Sequence, residues 1–251
     1  MAAVTAPISG NGVSEDQWQT SAWLAALPAV SPGQLLAGVQ RLVVVSPHPD
    51  DEVLACGGLI LAALAAGLPV AVVSVTDGEA CYPGQPEWPP QRLREVRRRE
   101  LRSALDVLGT EISIQVLGLA DGGVAAAEVA LGRQLQALLG SGDLVLAPWV
   151  HDAHPDHEAT GRAALQAADR RGARLLQYPV WAWHWLDPQA GQAPWTRAQR
   201  VSMPVDARVR KREAVACFAS QTGAAGGLDC APILPHPVLA RFDRDYEVLI
   251  G

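Results

Sequence analysis

The chain has 251 residues, of which 49% are hydrophobic and 18% charged, with a formal net charge of −6. That length and apolar content support a sizeable folded core and argue against disorder. The acidic balance argues against generic nucleic-acid binding, which needs a basic surface. The four cysteines, Cys56, Cys81, Cys217 and Cys230, include no C-x-x-C pair, which argues against a disulfide framework or a thiolate zinc knuckle.

The first fourteen residues are small and polar and read as loose. Glu15 to Leu27 reads as a short helix with Ser14 as its cap. Leu42 to Val45 is a β-branched run typical of a buried strand. Val53 to Ala66 reads as a helix closed near Gly67, and Val70 to Val75 as a second buried strand. Gly78 to Pro90, with its glycines and prolines, is a loop. Next come a helix over Arg92 to Leu108, a strand over Ile112 to Leu117 and a helix over Val124 to Leu139. A strand follows at Leu144 to Ala147, then a helix at His157 to Arg170. Arg174 to Trp185 begins with a fifth strand, Val209 to Ala219 is a helix, and Tyr246 to Ile250 a last strand. Alternating strands and helices predict an α/β fold, a three-layer αβα arrangement around a mostly parallel, Rossmann-like sheet. No repeat or linker divides it, so residues 1–251 read as one domain. No basic, apolar leader and no apolar run of ~18 residues is visible, so the expectation is a soluble, cytoplasmic protein without a membrane partner.

Two polar packets follow buried strands, where open α/β sheets place their sites. The first is His48-Pro49-Asp50-Asp51-Glu52. The second is His151-Asp152-Ala153-His154-Pro155-Asp156-His157. Four of the six histidines lie here. Either packet alone fits an ordinary turn or helix cap, because acidic residues favour helix N-termini. Both together, after strands of one sheet, point to a divalent metal, since imidazole and carboxylate suit Zn²⁺ and its neighbours. Residues three apart on a first helical turn share a face, which pairs His48 with Asp51 and His154 with His157. Spacing does not choose between His154 and His157 as ligand.

At Pro47–Glu52 and His154–His157 the chain resembles the PIG-L/LmbE family of metal-dependent N-acetylglucosaminyl deacetylases. Further segments, "TDGEACYPG", "RRRELRSALDVLG", "LGLADGG" and "KREAVACFASQ", occur in the family's order. The resemblance implies an LmbE-like deacetylase fold and a zinc-dependent amide hydrolase, with Fe²⁺ or another divalent metal as an alternative. It implies that His48, Asp51 and His157 hold the metal, and that Asp50 is the general base. It further implies a protonated His154 that stabilises the oxyanion, oriented by Asp156. Arg97 of the R-x-x-E-L element would grip the sugar, and Asp121 would lie near its hydroxyls. The partner would be a small amino-sugar substrate, and homo-oligomerisation is left open. Glu52 receives no catalytic role.

Other residues carry two readings. The arginines of residues 92–102 read mainly as a solvated face pairing with Glu95 and Glu100. In "YPVWAWHW", a strand would put Trp181, Trp183 and Trp185 on one face, as core or as a sugar platform, with His184 opposite as a candidate substrate contact. Asp77 and Glu79 could line the same crevice, and Cys81 could border it without acting as a nucleophile. Lys211 and Ser220-Gln221 receive no role. Two alternatives to N-deacetylation are weighed: an amidase on a larger acyl group or sugar conjugate, and a non-catalytic sugar or metal-binding protein on the same fold.

Overall fold

The structure, a computed structural model, describes residues 10–191 and 194–251. Its strands are β1 (Ala29–Val30), β2 (Arg41–Ser46), β3 (Val70–Thr76), β4 (Ser113–Leu119), β5 (Asp143–Pro148), β6 (Arg174–Tyr178), β7 (Ala198–Ser202) and β8 (Tyr246–Ile250). They form one sheet in the order β1-β7-β8-β6-β5-β2-β3-β4. Only β8 runs against its neighbours, pairing antiparallel with β6 and β7.

The central strands are apolar throughout because both faces of the sheet are covered. Leu42, Val44, Leu144 and Leu146 point into one core, while Val43, Val45, Val145 and Ala147 point into the other. This is the period-two alternation of strand side chains. Helices Asp51–Ala65 and Pro90–Leu108 contribute to the first core, and Val124–Leu138 and Pro155–Arg171 to the second. The result is the expected three-layer αβα arrangement around a mixed sheet.

Strand order sets the position of the site. The chain builds β2, β3 and β4 outward in one direction, then returns to place β5 on the other side of β2. The carboxyl ends of β2 and β5 therefore meet at the point where the topology reverses, the usual ligand crevice of such sheets. Both histidine packets leave the sheet there.

Several local expectations are corrected. The helix expected over Glu15–Leu27 is two short ones, Glu15–Gln19 and Ala22–Ala25, capped by Ser14 and Ser21. Residues 10–14, expected to be loose, pack onto the body: Val13 N–H donates to His184 O at 3.1 Å, and Asn11 O accepts from Arg241. Residues 1–9 lie outside the described residues. The helix expected to start at Val209 starts at Val205, directly after Pro204. β6 ends at Tyr178, and the tryptophans that follow lie on a helical turn, Ala182–Trp185. They do not share a face. Trp181 borders a cavity, and Trp183 is buried edge-on against Trp18 and Trp195. Trp185 stacks on Trp149.

Candidate active site and metal centre

The β2-to-helix turn is held at its root. Pro47 O accepts from Thr76 N–H at 3.0 Å and Thr76 Oγ1 at 2.8 Å. Asp50 then adopts φ 140°, a conformation that non-glycine residues avoid. Two anchors hold it there. Glu52 Oε2 accepts its backbone N–H at 3.2 Å, and Arg97 donates to its carboxylate at 2.8 Å. Asp51 opens the helix directly afterwards.

Three atoms from the two packets face one another. His48 Nδ1 and His157 Nε2 are 3.2 Å apart; Asp51 Oδ2 lies 3.4 Å from the first and 3.3 Å from the second. Ligand atoms about 2.0–2.1 Å from a tetrahedral ion lie roughly 3.3–3.4 Å from one another, so the spacing fits a divalent transition metal. The protonation pattern fits too. His157 Nδ1 lies 2.9 Å from Asp152 Oδ2, and His48 Nε2 lies 3.2 Å from Asp121 and 3.5 Å from Asp156. With an ion bound, those carboxylates would accept from the outer nitrogen of each ring and leave the inner nitrogens to the metal. Burial pulls the His48 imidazole down, but Asp121, Asp156 and Asp51 outweigh it and raise it well above its ordinary value. Burial pushes Asp51 up, yet His157 and His48 hold it below the usual range.

Asp152 is the residue that sequence reasoning missed. It is fully buried, and besides His157 it accepts the N–H groups of Val180, Trp181 and Ala182 at 2.8–3.0 Å. One carboxylate thus fixes the His157 imidazole and folds the tryptophan turn. The only signal in the sequence was its place inside the histidine packet.

The remaining candidates fall as follows. Asp50 is buried. Desolvation, with repulsion from Asp51 and Glu52, raises its carboxyl well above the usual range against the pull of Arg97. Arg97 lines the same cavity, but its guanidinium is committed to the protein: to Asp50, to Pro49 O at 2.7 Å and to Gly78 O at 2.8 Å. Here it positions Asp50. Asp121 accepts from Ala80 N–H at 2.8 Å and is drawn well below its ordinary value by His48, in spite of burial.

His154 and Asp156 meet through the backbone rather than through their side chains. Burial, and after it the electrostatic influence of the His157 and His48 rings, pushes His154 down to about 3. Its Nδ1 accepts the Asp156 backbone N–H at 3.2 Å. Through Nδ1, His154 thus caps the helix that begins at Pro155. The Asp156 carboxylate turns away from it, accepting Gly122 N–H at 2.7 Å and Val124 N–H at 3.2 Å and facing His48.

His184 lines the cavity with Nδ1 3.3 Å from Arg241. Asp77 and Glu79 do not line the cavity. Asp77 is gripped by Arg98 through two contacts of 2.7 Å, and Glu79 by Arg94 at 2.9 Å. Those arginines therefore pair across to the β3 loop rather than along their own helix, and Glu100 instead holds Ser220.

A family model described as PIG-L, GlcNAc-PI de-N-acetylase, matches residues 43–168, the segment that contains both packets. The chain belongs to this family. Among curated relatives, the probable N-acetyl-α-D-glucosaminyl L-malate deacetylase 2 of Bacillus cereus is 28% identical over 137 residues. That alignment covers 52% of this chain and 62% of the relative, so the match spans about three fifths of the relative's length. Among solved structures, the conserved protein TT1542 of Thermus thermophilus aligns over 85% of this chain and 94% of its own, at 28% identity and a TM-score of 0.60. The A40926 pseudoaglycone deacetylase Dbv21 aligns over 84% of this chain and 96% of its own, at 26% identity and a TM-score of 0.61. The matched segment thus contains the convergent His48, Asp51 and His157 atoms. No helix among the described residues is long and apolar enough to cross a membrane.

Proposed function

We propose that the chain is a single-domain, divalent-metal-dependent N-deacetylase that releases acetate from an N-acetylglucosamine conjugate. The observation that carries this reading is the 3.2–3.4 Å triangle of His48 Nδ1, Asp51 Oδ2 and His157 Nε2, with Asp50 beside it. Zn²⁺ suits two imidazoles and a carboxylate, and Fe²⁺ is the competing occupant. When bound, the ion supplies Lewis acidity, polarising an amide carbonyl and acidifying water.

The chain's own residues supply the rest. Asp50, with its proton affinity raised by burial, takes a proton from the attacking water. The same carboxyl group borders the cavity and returns the proton to the departing amine. His154 donates from Nε2 to the carbonyl oxygen as that oxygen gains negative charge. Asp152, Asp121 and Asp156 hold the two ligand rings in place. Four free thiols, Cys56, Cys81, Cys217 and Cys230, are in keeping with a reducing cytoplasm.

The test is a panel of N-acetylated amino sugars and conjugates given to metal-reconstituted protein and scored for acetate and free amine. Asp50→Ala should keep the metal and lose acetate release. A fully loaded wild type that releases no acetate from any member would overturn the reading.

A further inference from the structure

The cavity over the metal-binding residues has a volume of about 590 Å³. An N-acetylglucosamine has about fifteen non-hydrogen atoms. Even at the ~30 Å³ of a liquid water for each, it would fill only about 450 Å³. The surplus lies in a cavity whose lining has two chemistries. His48, Asp50, Asp51, Asp121 and His154 supply its polar part, and Val180, Trp181, Ile233, Leu234, Pro235 and Val238 its apolar part.

The apolar side is braced. Leu234 N–H donates to Gln221 O at 2.9 Å, and Ile233 N–H donates to the Tyr82 hydroxyl at 3.2 Å. That hydroxyl donates to Ser220 O at 2.8 Å, and Ser220 is clamped to Glu100 by two bonds of 2.7 Å. The loop that forms the wall is thus tied to the helix that carries Arg97.

Charge narrows what can enter. Among the described residues, three carboxylates line the cavity, and its one guanidinium, Arg97, is committed to Asp50 and two carbonyls. Arg241 faces His184 and the Asn11 carbonyl from behind. An anionic group would lose its water beside Asp121 and find no uncommitted guanidinium or ammonium among the lining residues to pair with, which is costly. A neutral apolar group gains burial and leaves no polar atom unpaired.

We infer that this wall is a subsite for an uncharged, apolar group carried by the amino sugar, either as its aglycone or as a longer N-acyl chain. The inference rests on the proposed amide-hydrolase reading of the site: an apolar aglycone deepens it, and a longer N-acyl chain would take the place of its acetyl group.

Four substrates are compared with the metal-loaded protein: methyl and octyl N-acetylglucosaminide, N-acetylglucosaminyl L-malate, and N-octanoyl methyl glucosaminide. Binding of the methyl, octyl and malyl free-amine glucosaminides is measured in parallel by calorimetry. The expected result is at least a tenfold advantage in kcat/KM and affinity for an octyl-bearing compound over the methyl one, with malate weaker than either. Preference for the octyl aglycone or for the octanoyl amide tells which end of the sugar meets the wall. The advantage should collapse toward one in Ile233→Ser. Octyl compounds no better than methyl, malate preferred, or an advantage untouched by Ile233→Ser would each overturn the subsite. Tighter calorimetric binding of the octyl glucosaminide, without turnover of any substrate, would keep the subsite and remove the deacetylase reading.

Discussion

Asp152 Oδ2 lies 2.9 Å from His157 Nδ1, and neither side chain is exposed to solvent. The same carboxylate holds three consecutive N–H groups of the tryptophan turn. Loss of its charge should therefore reach the metal before it reaches the fold. Asp152→Asn is expected to weaken metal affinity by about 10–100-fold, the usual cost of losing such an outer partner, as read by chelator competition. Asp152→Ala should in addition leave buried amides unpaired, at about 1–3 kcal/mol each, visible as a lower urea midpoint of the metal-free protein.

Arg97 opposes the upward drift of Asp50. With its cation gone, Asp50 should hold its proton more tightly still. Arg97→Met is expected to move the acid limb of kcat/KM to higher pH and to lower kcat at neutral pH, by up to the roughly 10²-fold at the lower end of what a positioned base supplies. Arg97→Lys should restore the limb in part, since a point charge cannot also span Pro49 O and Gly78 O. An unchanged pH profile in Arg97→Met would count against this coupling.

Glu52 is fully buried, and desolvation raises its carboxyl to about 7 in spite of its bonds from Ser46 and Asp50. In the unfolded chain it titrates near 4.5. Between these values the folded state holds a proton that the unfolded state releases, so stability falls as pH rises through the window. The full loss is about 3 kcal/mol above pH 7, at ~1.36 kcal/mol per pH unit. Glu52→Gln should flatten this slope in metal-free protein, measured as urea midpoints from pH 4 to pH 8. A wild-type and variant difference that does not change with pH would refute it.

Gly161 packs its helix against the end of β5: a Cβ there would sit 2.4 Å from Pro148 O. A main-chain carbonyl in a paired strand has little freedom to yield. Gly161→Ala is expected to cost about 1–3 kcal/mol. At ~2 kcal/mol the Tm falls by about 4–8 °C, measurable by calorimetry.

The parts of the fold that could be read were those in which local sequence and tertiary burial agree. β2, β3 and β5 are apolar runs buried on both faces, so composition alone marks them. β1 has two residues and β7 is Ala-Gln-Arg-Val-Ser, so neither carries a hydrophobic run, and both depend on their neighbours. The alternating tryptophans imitated a strand, but three bonds to a distant aspartate bend that segment into a helical turn. At the site, residue types and the two packets named the side chains whose ligand atoms converge. The partners that set their protonation were not legible. Asp121 and Asp156 reach His48, and Arg97 reaches Asp50, across long stretches of chain. The lowered proton affinity of His154 follows from burial and neighbouring charge, which no motif records.

The pairing of β2 with β5 has a consequence for how the protein is made. The two halves of the candidate chelate are separated by β3, β4 and the helices after them, so a nascent chain that has emerged only through β4 presents His48 and Asp51 without their third donor. In the proposed metal enzyme, high-affinity loading would wait until β5 docks on the far side of β2, and the ion would then tie the sheet's two wings together at their seam.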